Sequence, residues 1–219
     1  QNVAIIPHGV SKTFKDTYRK ELWPRDGEPI KCVYVSNIAL YKHQWNVVRA
    51  VSLLRKKGFN LTLILAGGGP GSGRGKAEKL LNEALHLYDP QKSYTEVVGF
   101  VPYEQLPSLL AKCHLFIFAS SCENMPNTLL EGMAVGLPIA CSDRGPMPEI
   151  LKDGGVYFDP EDPISIAGAL EKLILDGELR EKLATTAKNL SMQYSWSRCA
   201  DETIKFIVDT YKKYRGLGR

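Results

Sequence analysis

The stretch IKCVYVSNIALYKHQWNVVRAVSLLRKKGFNLTLILA, residues 30–66, reads as strand, helix, strand. Ile30–Ser36 is rich in β-branched and aromatic residues, which suit a pleated, half-buried surface. Gln44–Lys57 carries Val47, Val48, Val51 and Leu54 at helical spacing. Leu61–Ala66 is a second apolar run of strand length. Strands joined through a helix pair in parallel, so residues 30–66 predict a βαβ unit.

The alternation continues outward. Helices are expected over Lys76–Leu87, Glu104–Ala111, Thr128–Val135 and Met147–Leu151. Strands are expected over Glu96–Val98, Leu115–Ala119, Pro138–Cys141 and Gly155–Phe158. Upstream, Val3–Ile6 predicts a short strand closed by Pro7, and residues 11–29 read as loop with a helical turn. Beyond Pro163 the pattern is helical only, over Ile164–Leu175, Leu179–Asn189 and Trp196–Tyr214. The predicted fold is therefore α/β, a Rossmann-like open parallel sheet with helices on both faces and a helical C-terminal tail. Residues 1–219 are expected to form one domain, with 190–219 as the tail.

Composition bounds the function. Apolar residues make up 44% of the 219 and charged residues 24%, as in ordinary globular proteins. Twenty-eight Lys and Arg against 24 Asp and Glu leave a formal charge of +4, densest at Leu54–Gly58. No basic stripe marks a nucleic-acid face, and the small surplus suits an anionic small ligand. The five cysteines lack close pairs, and the four histidines are far apart, so neither a disulfide framework nor a metal site is expected. No apolar run reaches membrane-spanning length. The chain opens directly on an apolar run without Met, which reads as a cut inside a longer polypeptide.

Ligands of open parallel sheets bind beyond the C-terminal ends of the strands. Four irregular segments fall there: Asn37–His43, Gly67–Gly75, Phe100–Tyr103 and Ser120–Asn127. The run GGGPGSGRG at 67–75 matches neither the G-x-x-x-x-G-K-[ST] phosphate loop nor G-x-G-x-x-G. It is either a surface turn or a place where Gly67 and Gly68 let a ligand approach the backbone. Lys42, at the start of a predicted helix, is a candidate phosphate contact. His8 is neutral between turn and contact.

In SCENMPNTLLEGMAVGLP, residues 121–138, two acids differ sharply in setting. Glu123 lies in a polar turn past a strand. Glu131 sits among Leu129, Leu130, Met133 and Ala134, where an acid is costly without a partner. Gly132 and Gly136 weaken the same helix unless something packs closely. Both acids are candidate ligand residues.

Together these segments resemble the C-terminal half of a GT-B glycosyltransferase, of the retaining family 4 (glycosyl transferases group 1). The resemblance runs from IIPHGV at 5–10 through LILAGGGP at 63–70 and VVGFVPYEQLPSLLAKC at 97–113. It continues through the E-x7-E pair Glu123–Glu131 to GGVYFDPEDPISIAGAL at 154–170 and Trp196. It implies a retaining transfer of a hexose-type sugar from a UDP-, GDP- or ADP-sugar to a glycan or lipid-linked acceptor, as in polysaccharide biosynthesis. No metal or other cofactor is implied.

The resemblance further implies that Glu131 holds the donor ribose and Glu123 lies near the transferred sugar. Lys42 neutralises the diphosphate. Val101 and its neighbours meet the base, and the backbone of Met125, Pro126, Asn127 and Thr128 lies near sugar and phosphate. Gly9 lies at the mouth of an interdomain cleft. Ser36 and Asn37 stand where the family carries an arginine, so Asn37 offers an amide in place of a charge, and Arg74 is a candidate substitute. An N-terminal acceptor domain is the implied partner, without which this chain is expected to bind donor and not turn over. A cytoplasmic location, at the inner membrane face for the full enzyme, and no nucleic-acid partner are expected. The alternatives are an epimerase-like GT-B half and a non-catalytic donor-binding subunit.

Overall fold

The computed structural model describes residues 3–17, 19, 23–68 and 75–216. After a four-residue helix α1 (Lys12–Lys15), strand β1 (Ile30–Val35) leads through a 3-10 turn at Leu40–Lys42 into α2 (Gln44–Lys56). Then come β2 (Leu61–Ala66), α3 (Lys76–Tyr88), β3 (Thr95–Gly99), α4 (Leu106–Leu110), β4 (Leu115–Phe118) and α5 (Asn127–Val135). β5 (Ile139–Ser142), α6 (Met147–Leu151) and β6 (Val156–Phe158) complete the sheet. Helices α7 (Pro163–Leu175), α8 (Gly177–Ser191) and α9 (Trp196–Gly216) follow. The described sheet is six-stranded and parallel throughout, in the order β3-β2-β1-β4-β5-β6.

That order is the doubly wound arrangement, with its reversal between β1 and β4. The chain winds outward from β1 to β3, then returns to β1's other side. A parallel sheet needs cover on both faces, and the strands obey: Cys32–Val35 and all of β4 and β5 are buried. Helix α2 buries Val47, Val48, Val51 and Leu54, the residues whose spacing identified it. Helix α5 is buried from Leu129 to Val135 and packs on α8 and, at Gly132, against Phe116 of β4. Gly132 lets it do so, because a Cβ there would stand 2.9 Å from the Phe116 ring.

Two expected elements differ. Val3–Ile6 is irregular, with Ile5 95% exposed. It pairs with no described strand, and an apolar run alone does not make a strand. The expected helix Glu104–Ala111 is a 3-10 turn over Tyr103–Gln105 followed by α4, since Pro107 lacks the N–H that a continuous helix needs. In α9, Trp196, Ile204, Ile207, Tyr211 and Tyr214 are all exposed. No described helix is long and apolar enough to cross a membrane.

Gly67 closes β2 at φ +120°, donating its N–H to Gly99 O at 2.7 Å. A Cβ there would overlap the carbonyl oxygen of Ser36. Gly67→Ala is expected to cost about 3 kcal/mol in chemical denaturation, from backbone strain plus overlap. Gly75→Ala is the control: its φ is +122° but nothing lies within 4 Å of the added methyl. Equal losses in the two variants would disprove the close approach.

Candidate functional site

Because every strand runs the same way, the segments after β1, β2, β3 and β4 leave one edge of the sheet. β1 and β4 are neighbours, paired at Cys32–Leu115 and Val33–Phe116. Their trailing loops therefore adjoin at the reversal point, where such sheets form a crevice.

Lys42 ends the 3-10 turn after β1 and is 8% exposed. It is no solvated lysine. Its Nζ donates to Glu123 Oε1 in an ion pair with both side chains largely buried. The ammonium also lies 5.2 Å and 5.5 Å from the ring centres of Tyr41 and Phe118. The backbone beneath it is fixed, since Tyr34 Oη donates to the Lys42 carbonyl at 2.9 Å.

The two loops are also tied by backbone and side-chain hydrogen bonds. Ser121 N donates to Tyr41 O at 2.7 Å, and His43 Nε2 meets Ser121 Oγ at 2.8 Å. His43 adopts a left-handed φ of 48°, uncommon for a residue with a side chain. Burial lowers its pKa, offset in part by Glu161 and Asp159 and reinforced by Arg144. Neither His43 nor Ser121 stood out in the sequence. A histidine at a helix entrance is one polar residue among many until its partner, 78 residues away, is known.

Glu131 lies one turn into α5, 7% exposed, with no hydrogen bond or ion pair among the described residues. Burial raises its pKa to about 7. Its charge reaches Tyr103, whose phenol is pushed up first by burial and then by Glu131. The expectation that an acid here is costly without a partner holds, and the described protein supplies none. Helix α5 begins at Asn127, one residue before the expected start at Thr128, and Glu123 lies ahead of it outside any helix.

The remaining candidates distribute around these three. Thr128 Oγ1 donates to Val35 O at 3.2 Å, tying the first turn of α5 to the end of β1. Asn127 Oδ1 meets His8 Nδ1 at 3.2 Å, and the His8 ring lies 5.4 Å from Trp196. Pro126 precedes α5 and offers no side-chain cap, while Met125 packs against the core. Val101 is half-buried after β3. Asn37 is exposed, its carbonyl accepting from Gln44 Nε2 at 2.8 Å.

Gly67 is required by the chain's own approach to Ser36, which explains it without a ligand, and Gly68 has a positive φ of 88°. Gly9 is buried against the backbone at the start of α9. Arg74 lies outside the described residues. A cavity of about 810 Å³ elsewhere is lined by Thr62, Ile64, Leu85, Tyr94 and Val97, and by none of Lys42, Glu123 and Glu131.

Comparison with known proteins gives this geometry a context. The family model described as Glycosyl transferases group 1 matches residues 15–190. Alpha-D-kanosaminyltransferase of Streptomyces kanamyceticus is 30% identical over 212 residues, 92% of this chain and 53% of that protein. O-antigen chain mannosyltransferase B of Escherichia coli is 33% identical over 116 residues, 52% of this chain and 30% of that protein. The chain thus spans between about a third and a half of these relatives. Sucrose-phosphate synthase from Thermosynechococcus elongatus superposes with a TM-score of 0.81 at 19% identity, covering 96% of this chain and 53% of that one. Anabaena HepE, solved in complex with UDP and glucose, gives 0.74 at 18% identity, covering 92% and 53%. At such identities the structural likeness speaks for the fold.

Proposed function

This chain belongs to the glycosyl transferases group 1 family, and from that premise we propose that it binds the nucleotide-sugar donor for a retaining sugar transfer. The observation that carries the reading is the Lys42–Glu123 pair at the β1/β4 reversal, with the unpartnered Glu131 on the adjoining helix. A donor diphosphate needs a cation, and its ribose and sugar need acceptors for their hydroxyls. These residues offer both.

In this reading Lys42 faces the diphosphate. The N–H groups of the first turn of α5, uncapped by any side chain, add a partial positive charge. The bond from the anomeric carbon to the diphosphate oxygen breaks as the acceptor oxygen bonds to the same face of the sugar, and the acceptor's hydroxyl proton passes to the departing diphosphate oxygen. Negative charge then grows on the departing diphosphate, where Lys42 and the helix terminus stabilise it. Glu123 orients the sugar hydroxyls beside the positively charged anomeric centre. Glu131 accepts from the ribose hydroxyls, and the segment at Val101 meets the base through its backbone. Asn37 contributes a neutral amide where a second cation would strengthen the grip.

The match with the kanosaminyltransferase covers 53% of that protein. We therefore expect donor binding by this chain, and transfer only when an acceptor-presenting domain is present. The acceptor is of the glycan or lipid-linked class. Calorimetric titration with UDP, GDP and ADP and their sugar conjugates tests the reading. Saturable binding of one base series is the expected result. Silence across all of them, or tight binding undisturbed by substitution of both Lys42 and Glu131, would reject it.

A further inference from the structure

We infer that Glu123 occupies the diphosphate's place on Lys42 until donor arrives, and so makes the site prefer a sugar-loaded nucleotide over the bare nucleoside diphosphate. This rests on the nucleotide-sugar reading above and specifies how the same site is regulated.

The argument begins with Lys42. An ammonium whose side chain is 10% exposed needs an anion nearby. Glu123, itself 15% exposed, is that anion, and the Tyr41 and Phe118 rings flank the ammonium. The placement is built in. Ser121, two residues before Glu123, is hydrogen-bonded to Tyr41 and His43, the residues on either side of Lys42. The carboxylate is therefore held within reach of the ammonium by hydrogen bonds between adjoining loops.

A diphosphate that reaches Lys42 must displace this carboxylate. With a bare nucleoside diphosphate, the displaced Glu123 is left beside phosphate oxygens of its own sign, without donors to satisfy it. With a nucleotide sugar, the hydroxyls of the sugar donate to the carboxylate at the moment it loses Lys42. The same residue thus penalises the spent nucleotide and rewards the loaded one. Once the sugar has left, Glu123 returns to Lys42 and helps expel the product.

The test is Glu123→Gln, which keeps the shape and removes the charge. Wild type and variant are titrated with inorganic diphosphate, with the nucleoside diphosphate selected above, and with its sugar conjugate. The variant should bind inorganic diphosphate and the bare nucleotide roughly tenfold more tightly than wild type. Its preference for the sugar conjugate over the bare nucleotide should shrink. Adding Lys42→Met to the variant should erase the gain. Equal or weaker binding of bare diphosphates by Glu123→Gln, or a gain that survives loss of Lys42, would overturn the inference while leaving donor binding intact. Failure of both proteins to bind any diphosphate would overturn the nucleotide-sugar reading and this inference with it.

Discussion

Lys42→Met is expected to weaken nucleoside diphosphate binding by about 2–5 kcal/mol, roughly thirty- to several-thousand-fold. The size follows from burial. Lys42 is 8% exposed, so its charge acts with little screening by water. It also sits on a fixed base, since the 3-10 turn and the Tyr34 bond to its carbonyl hold the backbone in place. A flexible surface lysine would contribute far less. The variant leaves Glu123 without its partner, so part of any loss would reflect that stranded carboxylate. The double substitution Lys42→Met with Glu123→Gln separates the contributions. Calorimetry and thermal melting on all three variants are the measurements. Nucleotide affinity in the double variant equal to that of Glu123→Gln alone would remove Lys42 from the site.

Glu131→Gln is expected to stabilise the free protein at pH 8 by about 3 kcal/mol while weakening nucleotide binding. The gain comes from the pKa, which burial raises from 4.5 to about 7. The folded chain holds a proton on Glu131 between those values while the unfolded chain has already released it. Stability from that proton is whole below about pH 4.5, declines as pH rises, and is gone above about pH 7. Glutamine carries no such penalty. The advantage of the variant should therefore be largest at alkaline pH and vanish in acid. Denaturation curves across pH 4–8, compared between variant and parent, read this directly. A gain independent of pH would place its cause outside ionisation.

The same logic predicts a proton signal on binding. Ribose hydroxyls donating to Glu131 favour its charged form and pull the pKa down. Donor binding near pH 6 should then release protons, seen as a calorimetric enthalpy that depends on the buffer. Glu131→Gln should lose that dependence. A costly, unpartnered acid retained in an otherwise apolar helix is the pattern expected where stability yields to ligand recognition.

The elements were legible because each carries its own short-range pattern. Val47, Val48, Val51 and Leu54 announce α2, and LTLILA announces β2, whatever lies beside them. Val3–Ile6 misled for the complementary reason: a strand is defined by its neighbour, and four apolar residues say nothing of whether one exists. Glu131 was legible as a candidate because its cost is local, set by the leucines and methionine of its own helix. Gly67 was noticed but its reason was not, because the carbonyl it must avoid belongs to Ser36, which follows the neighbouring strand β1.

The order and kind of the elements, the sheet edge from which the loops depart, and the oddity of an acid inside α5 follow from the chain as written, since each depends on residues within about one helical turn or one strand of each other. Which loops touch does not. That Lys42 meets Glu123, 81 residues further on, follows from β4 returning to lie beside β1 instead of adding next to β3. This strand order rests on contacts between residues far apart in the chain, which no local pattern records. Only the assembled sheet therefore gives the lysine its anion and leaves Glu131 without a partner among the described residues.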